Sequence, residues 1–279
     1  MPGCVAGLPP GGAKVLGQST NQRPARRVSY AELAARVPAA WLLFCGLLAF
    51  ALYITADVVA SLSYDGYSYR DQTISELSAI GAPTRGPWLV MGVAWEFLSL
   101  GLAIGVLRVA GRRRAVRIVG WVFLVSAAVG TLWWFAPMHQ REVLAADGGD
   151  WRDTMHLAMG GVSSLEYFLM IGVGAFAFGR LFRWYSFATI AAMLVFGTLM
   201  NTMVGDVAND DPTPWLGIWE RITVEGAMLW QAVFAAVLLW GQRSSGPGAA
   251  PPNRQARPPR RQGRPVRDSL RGTSASASD

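Results

Sequence analysis

Six long apolar segments limit what this chain can fold into. They cover residues 38–60, 87–109, 116–136, 154–179, 185–206 and 219–241. Each reaches the roughly 20 residues that an α-helix needs to cross a hydrocarbon core of about 30 Å, and each is far longer than the roughly 10 residues of a membrane β-strand. Backbone groups in lipid must be hydrogen-bonded within the protein. The sequence therefore predicts an all-α integral membrane protein, a bundle of six transmembrane helices.

The composition excludes an ordinary water-soluble domain. Hydrophobic residues make up 52% of the chain and charged residues only 15%, whereas soluble domains carry about 25% charged residues. Cys4 lies in a polar leader and Cys45 inside the first apolar segment, so no disulfide is expected. Gly101 and Gly105 form a GxxxG pattern, which predicts close packing of the second helix against a neighbour.

The chain divides into a membrane domain at 38–242 and two tails. Residues 1–37 form a basic N-terminal tail, and 243–279 form a tail rich in Arg and Pro. Neither has enough apolar residues to bury, so both tails are predicted to be disordered. An unusually long signal peptide is the alternative interpretation of the first apolar segment, but that segment exceeds the usual length of a signal-peptide core.

The basic residues predict the orientation. An even number of crossings places both tails on one side, and that side then holds 20 of the 25 basic residues. We expect both termini in the cytoplasm and the bundle in the plasma (inner) membrane. The lipid bilayer is the expected partner, anionic lipid head groups could bind the basic tails, and no nucleic-acid partner is expected.

The external connection at 61–86 is long enough to hold local structure. Thr73 and Glu76 have the spacing of a helix capping box, and Gly81 followed by Pro83 is a helix stop. These signals predict a short helix at about 74–80 on the outer surface. A loop without function is the alternative.

Polar residues gather at the predicted outer ends of the helices. Asp153 and His156 are three residues apart and share a helix face, which continues through Gly160, Ser163 and Tyr167. Together with groups on the external connections they predict an outward-facing site at which the protein binds or transports a small polar or lipidic ligand. Its expected residues are Glu76, Asp153, His156, Asp206 and Glu220.

Three carboxylates lie deeper in the predicted helices, namely Glu96, Glu166 and Glu225. An unpaired carboxylate inside a membrane costs several kcal/mol, so such groups pair, protonate or line water. Arg221 precedes Glu225 by one helical turn and is the predicted ion-pair partner of Glu225. Glu96 and Glu166 have no basic residue within a turn. They are expected to be neutral, hydrogen-bonded across helices, or open to an outward cavity.

Two other classes of function stay open. His139 and His156 with a carboxylate could bind zinc and support a metal-assisted hydrolase that acts on lipid head groups. The chain lacks an HExxH motif, and no other cofactor is expected. A structural or partner-binding membrane protein, in which the polar groups only pack, is the third hypothesis.

Several segments resemble one family. They are DQTISELSAIGAPTRGPW at 71–88, MHQRE at 138–142, DTMH at 153–156 and PTPWLGIWERI at 212–222. In order and spacing they resemble the multi-pass bacterial membrane family catalogued as domain of unknown function 998, over roughly residues 38–242. The resemblance implies a six-helix membrane domain and carries over no catalytic residue.

Overall fold

The computed structural model describes residues 37–243, together with Gly3 and Gly7. The chain divides into the units Met1–Pro38 and Ala39–Asp279, and every helix described below belongs to the second. Apart from Gly3, Gly7, Val37 and Arg243, the two predicted tails lie outside the described residues.

Six helices in this part of the chain are long and apolar enough to cross a membrane. They are α1 Ala39–Ser63, α2 Arg85–Ala110, α3 Arg114–Gly130, α4 Trp151–Gly174, α5 Arg180–Thr202 and α6 Leu216–Arg243. The 3₁₀ helix Thr131–Phe135 extends α3, and residues 37–243 contain no strand. The predicted fold class and number of crossings are confirmed.

Two helices end before the predicted boundary. Helix α4 stops at Gly174 rather than 179, because residues 175–178 turn toward α5. Helix α5 stops at Thr202 rather than 206, where Met203 leaves helical geometry and the short helix Val204–Ala208 follows. Helix α5 also begins at Arg180, five residues before the predicted start. The remaining bounds lie within three residues of the prediction when the 3₁₀ extension of α3 to Phe135 is included.

The helices form a ring in chain order, closed by contact between α6 and α1. Helix α6 also touches α2 and α4. Half of its most apolar window is buried, against 17–28% in the other five helices. Helix α6 is therefore the most deeply buried of the six helices, and many of its polar residues lie inside the protein.

The GxxxG pattern of α2 packs against α1, as predicted. A Cβ at Gly105 would come within 2.8 Å of the Leu42 side chain, and one at Gly101 within 3.0 Å of the Cys45 sulfur. The absence of side chains at these positions lets the two helices approach closely.

The two ends of the bundle differ in chemistry. We call the end formed by 64–84, 136–150 and 203–215 the loop end, and the end formed by 108–117, 175–183 and 237–243 the arginine end. The half next to the arginine end is an apolar core of aromatic rings, including Phe123, Phe182, Trp230 and Phe234. The indole of Trp230 donates to Ser186 Oγ at 2.8 Å. Most of the buried charged groups lie in the other half, toward the loop end.

Candidate functional site at the loop end

The connection after α1 folds into the predicted short helix. It is a 3₁₀ helix at Ile74–Ser78, and both bonds of the capping box between Thr73 and Glu76 are present. Glu76 Oε2 accepts from the Thr73 backbone N–H at 2.7 Å, and Thr73 Oγ1 accepts from the Glu76 N–H at 3.3 Å. The helix ends two residues before the predicted limit. We call residues 73–80 the cap.

The cap is attached to the loop that follows α3. The backbone N–H of Ile80 donates to the Met138 carbonyl at 2.8 Å. Thr84 Oγ1 donates to the Leu77 carbonyl at 2.7 Å and fixes the connection to α2. Beneath the cap, Ile74 and Leu77 pack against rings that include Tyr53 and Trp88. The cap therefore lies directly over the polar half of the bundle.

A buried ion pair between Glu76 and Arg141 joins the cap to this loop. The guanidinium donates from Nε to Glu76 Oε1 at 2.8 Å and from Nη2 to Oε2 at 2.9 Å. Both residues are buried. Burial is the largest single influence and lowers the pKa of Arg141, but the hydrogen bond to Glu76 and the negative charges of Glu76, Asp210 and Glu142 together outweigh it, so the pKa is raised. A bidentate pair of this kind fixes both position and orientation.

A second buried ion pair lies deeper, between α6 and α1. Arg221 donates from Nε to Asp57 Oδ2 and from Nη2 to Asp57 Oδ1, both at 2.8 Å. Asp57 is fully buried and Arg221 is 4% exposed. The same guanidinium donates to the Tyr69 carbonyl at 2.8 Å. Among the described residues, Asp57 is its one acidic partner within 4.0 Å.

Two tyrosines complete the surroundings of Arg221. The ring centroid of Tyr69 lies 3.6 Å from the guanidinium carbon, and the Tyr67 hydroxyl accepts from Nη2 at 3.0 Å. Burial raises the pKa of Tyr67, which keeps the hydroxyl protonated. The loop approaches α6 closely because residue 217 is glycine, since a Cβ there would collide with the carbonyl oxygens of Gln72 and Tyr69.

This geometry corrects the predicted pairing of Arg221 with Glu225. Although the two residues are one helical turn apart, the guanidinium is directed toward α1 and binds Asp57. The carboxyl group of Glu225 instead lies near the Asp57 carboxyl. Its Oε1 is buried without a hydrogen-bond partner among the described residues. Tertiary packing therefore outweighs the local i, i+4 interaction.

Glu220 binds the cap. Its Oε2 accepts from the Ile74 backbone N–H, and its Oε1 accepts from Ser75 Oγ at 3.1 Å. Glu220 is 8% exposed. Two of the five residues of the predicted outer site, Glu76 and Glu220, are therefore brought together at the cap.

Glu96 on α2 and Glu166 on α4 face α3 from its two sides. A Cβ at Gly130 would lie 2.6 Å from Glu96 Oε2, so the carboxyl group packs against bare backbone. Glu96 Oε1 is buried without a hydrogen-bond partner among the described residues. Glu166 lies near Ser126, whose hydroxyl group is buried without a hydrogen-bond partner among the described residues. Neither carboxylate has a cationic partner within 4.0 Å in residues 37–242, as the sequence predicted.

The two histidines do not converge. His139 Nδ1 lies 2.9 Å from Asp153 Oδ2, whereas His156 Nδ1 lies 2.8 Å from the Ala136 carbonyl oxygen. The expected pairing of Asp153 with His156 is therefore replaced by a pairing with His139. The ring of His156 instead makes an edge contact with Trp133, with 5.0 Å between centroids.

Asp153 also belongs to the N-terminal cap of α4. It accepts from the Asp150 N–H at 2.8 Å and from the His139 N–H at 2.7 Å. His139, Asp150 and Asp153 have ligand atoms within 4.8 Å of one another, a spacing that could hold a metal ion. His156 is not part of that group, so a zinc site would use a different set from the predicted one.

Asp206, the fifth residue of the predicted outer site, lies apart from these pairs. It is half-buried in the short helix Val204–Ala208, and only its backbone carbonyl makes a described contact, with the Asp211 N–H at 2.8 Å. Asp210, further along this loop, lies 4.0 Å from Arg141. The connection at 203–215 thus approaches Arg141, the partner of Glu76 in the cap, through Asp210 rather than through Asp206.

Sequence reasoning missed Asp57 and Arg141. Asp57 lies inside an apolar segment, where a single charge is itself a signal of an internal partner. Arg141 lies in the MHQRE segment, but nothing near it in sequence indicates Glu76 as its partner. Both residues have partners that only the tertiary fold provides.

These features define a multi-pass membrane protein whose buried charges gather at and beneath a folded cap at the loop end. A family model described as "Protein of unknown function (DUF998)" matches residues 47–237, which is more than half of the chain. The chain belongs to this family, in agreement with the resemblance of its sequence segments. No curated protein and no solved structure matches the chain.

Proposed function

We propose that this protein binds a small organic cation, such as an amine or quaternary ammonium compound, in the half of the bundle beneath the cap. The observation that carries the proposal is the state of Glu225. Its expected cationic partner, Arg221, is already bound to Asp57, and one of its own carboxylate oxygens is buried without a partner. A positively charged ligand would supply the cationic partner that Glu225 lacks among the described residues.

The charge balance supports this choice. The buried carboxylates toward the loop end outnumber the buried arginines, and each arginine is bound to one of them. Among the described residues, three buried carboxylates (Asp57, Glu76 and Glu220) and the half-buried Glu225 compare with two buried arginines, Arg141 and Arg221. Carboxylates without a cation inside a membrane must protonate or bind one from outside.

An aromatic cluster next to these carboxylates favours an organic cation over a metal ion. The Tyr53 ring centroid lies 5.6 Å from that of Trp88 and 6.5 Å from that of Trp95. Tyr53 is one helical turn before Asp57 and is close to Glu225. Aromatic faces bind quaternary ammonium groups through cation–π attraction, and a nearby carboxylate adds a full opposite charge.

Ligand-dependent thermal stability tests the proposal. The purified protein in mild detergent is titrated with tetramethylammonium, methylammonium and sodium, and with acetate as an anionic control. We expect the organic cations to raise the melting temperature, because a ligand that binds only the folded state stabilises by about 2.7 kcal/mol at 100 times its Kd. Sodium and acetate should have a much smaller effect.

Two variants locate the site. Glu225→Gln and Trp88→Leu should each abolish the stabilisation by tetramethylammonium, whereas Glu142→Gln, which changes the same charge in an outer loop, should retain it. An unchanged melting temperature with every cation, or equal responses in Glu225→Gln and Glu142→Gln, would refute the proposal. Uptake of labelled tetramethylammonium into proteoliposomes then distinguishes a carrier from a binding protein.

A further inference from the structure

The arginine end has a cavity of its own, on the opposite side of the bundle from the cap. Its volume is about 430 Å³, and it is lined by Val109, Arg113, Leu238, Gly241 and Gln242. It lies between the final turns of α2 and α6, beside the turn that leads into α3. A volume of this size is in the range of pockets that bind small molecules.

The wall of this cavity is apolar and its rim is polar. Leu238 is buried at 2% exposure and Val109 is half-buried, whereas the Arg113 guanidinium is exposed. Arg113 donates from Nη2 to the Val109 carbonyl at 3.0 Å, which positions the guanidinium beside the cavity. The other N–H groups of a guanidinium then remain for a ligand.

The surroundings favour an anion. The segments 108–117, 175–186 and 237–243 hold eight arginines and no Asp or Glu. Among the described residues of these segments, Arg117 also binds a backbone carbonyl at the same turn, that of Gly111. Guanidinium groups bind phosphate in a bidentate manner, and basic pockets between membrane helices bind lipid head groups.

We infer that this cavity binds one anionic phospholipid, with the phosphate on Arg113 and an acyl chain against Val109 and Leu238. A free phosphate ion would use the arginine but not the apolar wall. A phospholipid uses both, and it is present at the membrane surface where long apolar helices end. The inference does not rest on the proposed cation site, which lies at the other end of the bundle.

Native mass spectrometry of the detergent-purified protein tests this inference. The protein is titrated with phosphatidylglycerol, with phosphatidylcholine of the same acyl chains, and with glycerol phosphate. We expect one phosphatidylglycerol per chain to bind at least about tenfold more tightly than phosphatidylcholine. Both lipids bring a phosphate to Arg113, but the trimethylammonium group of phosphatidylcholine would be repelled by the arginines of this end. Glycerol phosphate should not displace phosphatidylglycerol at equal concentration.

Matched variants separate a specific site from general surface charge. Arg113→Gln should weaken phosphatidylglycerol binding at least about tenfold, and Arg112→Gln, with the same loss of charge in the same turn, less than about twofold. Gly241→Leu should block the cavity without disturbing the fold, because a Cβ there meets no atom within 4 Å. Gly86→Leu, which is equally unobstructed at the loop end, is its control.

Equal weakening by Arg113→Gln and Arg112→Gln would overturn the inference, because binding would then depend only on net charge. Displacement of the lipid by glycerol phosphate at equal concentration would also overturn it, since a soluble phosphate ligand would not need the apolar wall. Unchanged binding in Gly241→Leu would place the lipid elsewhere and overturn the assigned site.

Discussion

Asp57 and Arg221 are 164 residues apart in the sequence and form a bidentate ion pair that is almost completely buried. The pair joins the last turns of α1 to the first turns of α6, the two helices that close the ring. Through the carbonyl oxygens of Tyr69 and Gln72, the same guanidinium also holds the connection between α1 and α2. Arg221 is therefore a junction between the membrane bundle and the cap region.

Breaking this pair should destabilise the protein more than any other single charge removal. Arg221→Gln leaves Asp57 as a buried carboxylate without a cation, and Asp57→Asn leaves the guanidinium without an anion. Removal of one partner of a buried pair destabilises by about 3–5 kcal/mol. We expect a clear fall in melting temperature in detergent for either variant.

The double variant Asp57→Asn/Arg221→Gln is the internal control for this prediction. It should lose less stability than the sum of the single variants, because neither partner is left charged and alone. Arg152→Gln, which removes an exposed pair with Asp150, should change stability by less than about 1 kcal/mol. Strict additivity of the two single changes would contradict the assignment.

The deep carboxylates should tolerate neutralisation. Glu225→Gln and Glu96→Gln replace groups that have no cationic partner within 4.0 Å among the described residues, so no ion pair is broken. We expect little change in melting temperature without ligand, in contrast to Asp57→Asn. Thermal unfolding followed by tryptophan fluorescence measures the difference. A loss as large as that of Asp57→Asn would show that these carboxylates carry structural charge.

Local sequence signals predicted the local structure well. Apolar length gave the six crossings, the i, i+3 spacing of Thr73 and Glu76 gave the short helix, and the small residues of α2 gave its close packing on α1. Each depends on residues only a few positions apart. The identity and spacing of nearby residues are therefore enough to predict each of these features.

The charged contacts were not predictable in the same way. Arg221 has an acidic residue at i+4, and a sequence contains no sign that Asp57 on another helix offers two oxygens at bidentate geometry. Glu76 pairs with Arg141, 65 residues away, because the cap and the loop after α3 pack together. His139 and His156 are both near the loop end, but local backbone geometry directs them to different partners.

The Glu76–Arg141 pair should control how firmly the cap is held. Arg141→Met keeps the apolar part of the side chain but removes both bonds to Glu76. We expect faster hydrogen exchange in a peptide that covers residues 73–80, because the cap loses its link to the loop after α3. Exchange in α6 near Trp230 should not change.

A double-mutant cycle with Glu76→Gln checks this assignment. The coupling energy between the two positions should lie between about 0.5 and 3 kcal/mol, as for residues in direct contact. Arg85→Met is a matched control, since it removes an arginine that binds the Ser78 carbonyl at the end of the cap rather than Glu76. Zero coupling would contradict the structural role of the pair.

The turn at Trp215 should loosen in acid. Asp71 accepts hydrogen bonds from Arg70 and from the Trp215 N–H, the latter at 3.0 Å, and the bond from Arg70 lowers the pKa of Asp71 to about 2. Because the folded pKa is depressed, the stabilisation is complete above about pH 4, the usual pKa of Asp, and is lost as the pH falls toward 2. Trp215 has a positive φ of 70°, so the turn depends on such a contact.

Hydrogen exchange of a peptide that contains Trp215 measures this effect, after correction for the intrinsic pH dependence of exchange. Protection should decrease between about pH 4 and pH 2 in the wild type. Asp71→Asn should show low protection that does not change over this interval. A decrease of the same size in Asp71→Asn would assign the acid sensitivity to another carboxylate.

The two histidines should respond differently to loss of Asp153. His139 Nδ1 is 2.9 Å from the Asp153 carboxylate, whereas His156 contacts the Ala136 carbonyl and the Trp133 ring. The chain has only two histidines, so His139→Gln assigns both imidazole signals in a ¹⁵N-histidine NMR spectrum. Asp153→Asn should shift the His139 signal strongly and the His156 signal weakly, because only the first loses a hydrogen bond.

A titration with zinc tests the same geometry. Zinc that binds at this place should perturb the His139 signal, because the neighbours of His139, Asp150 and Asp153, offer further ligand atoms. A larger shift at His156 in either experiment would contradict this pairing and restore the arrangement that the shared helix face of Asp153 and His156 had suggested.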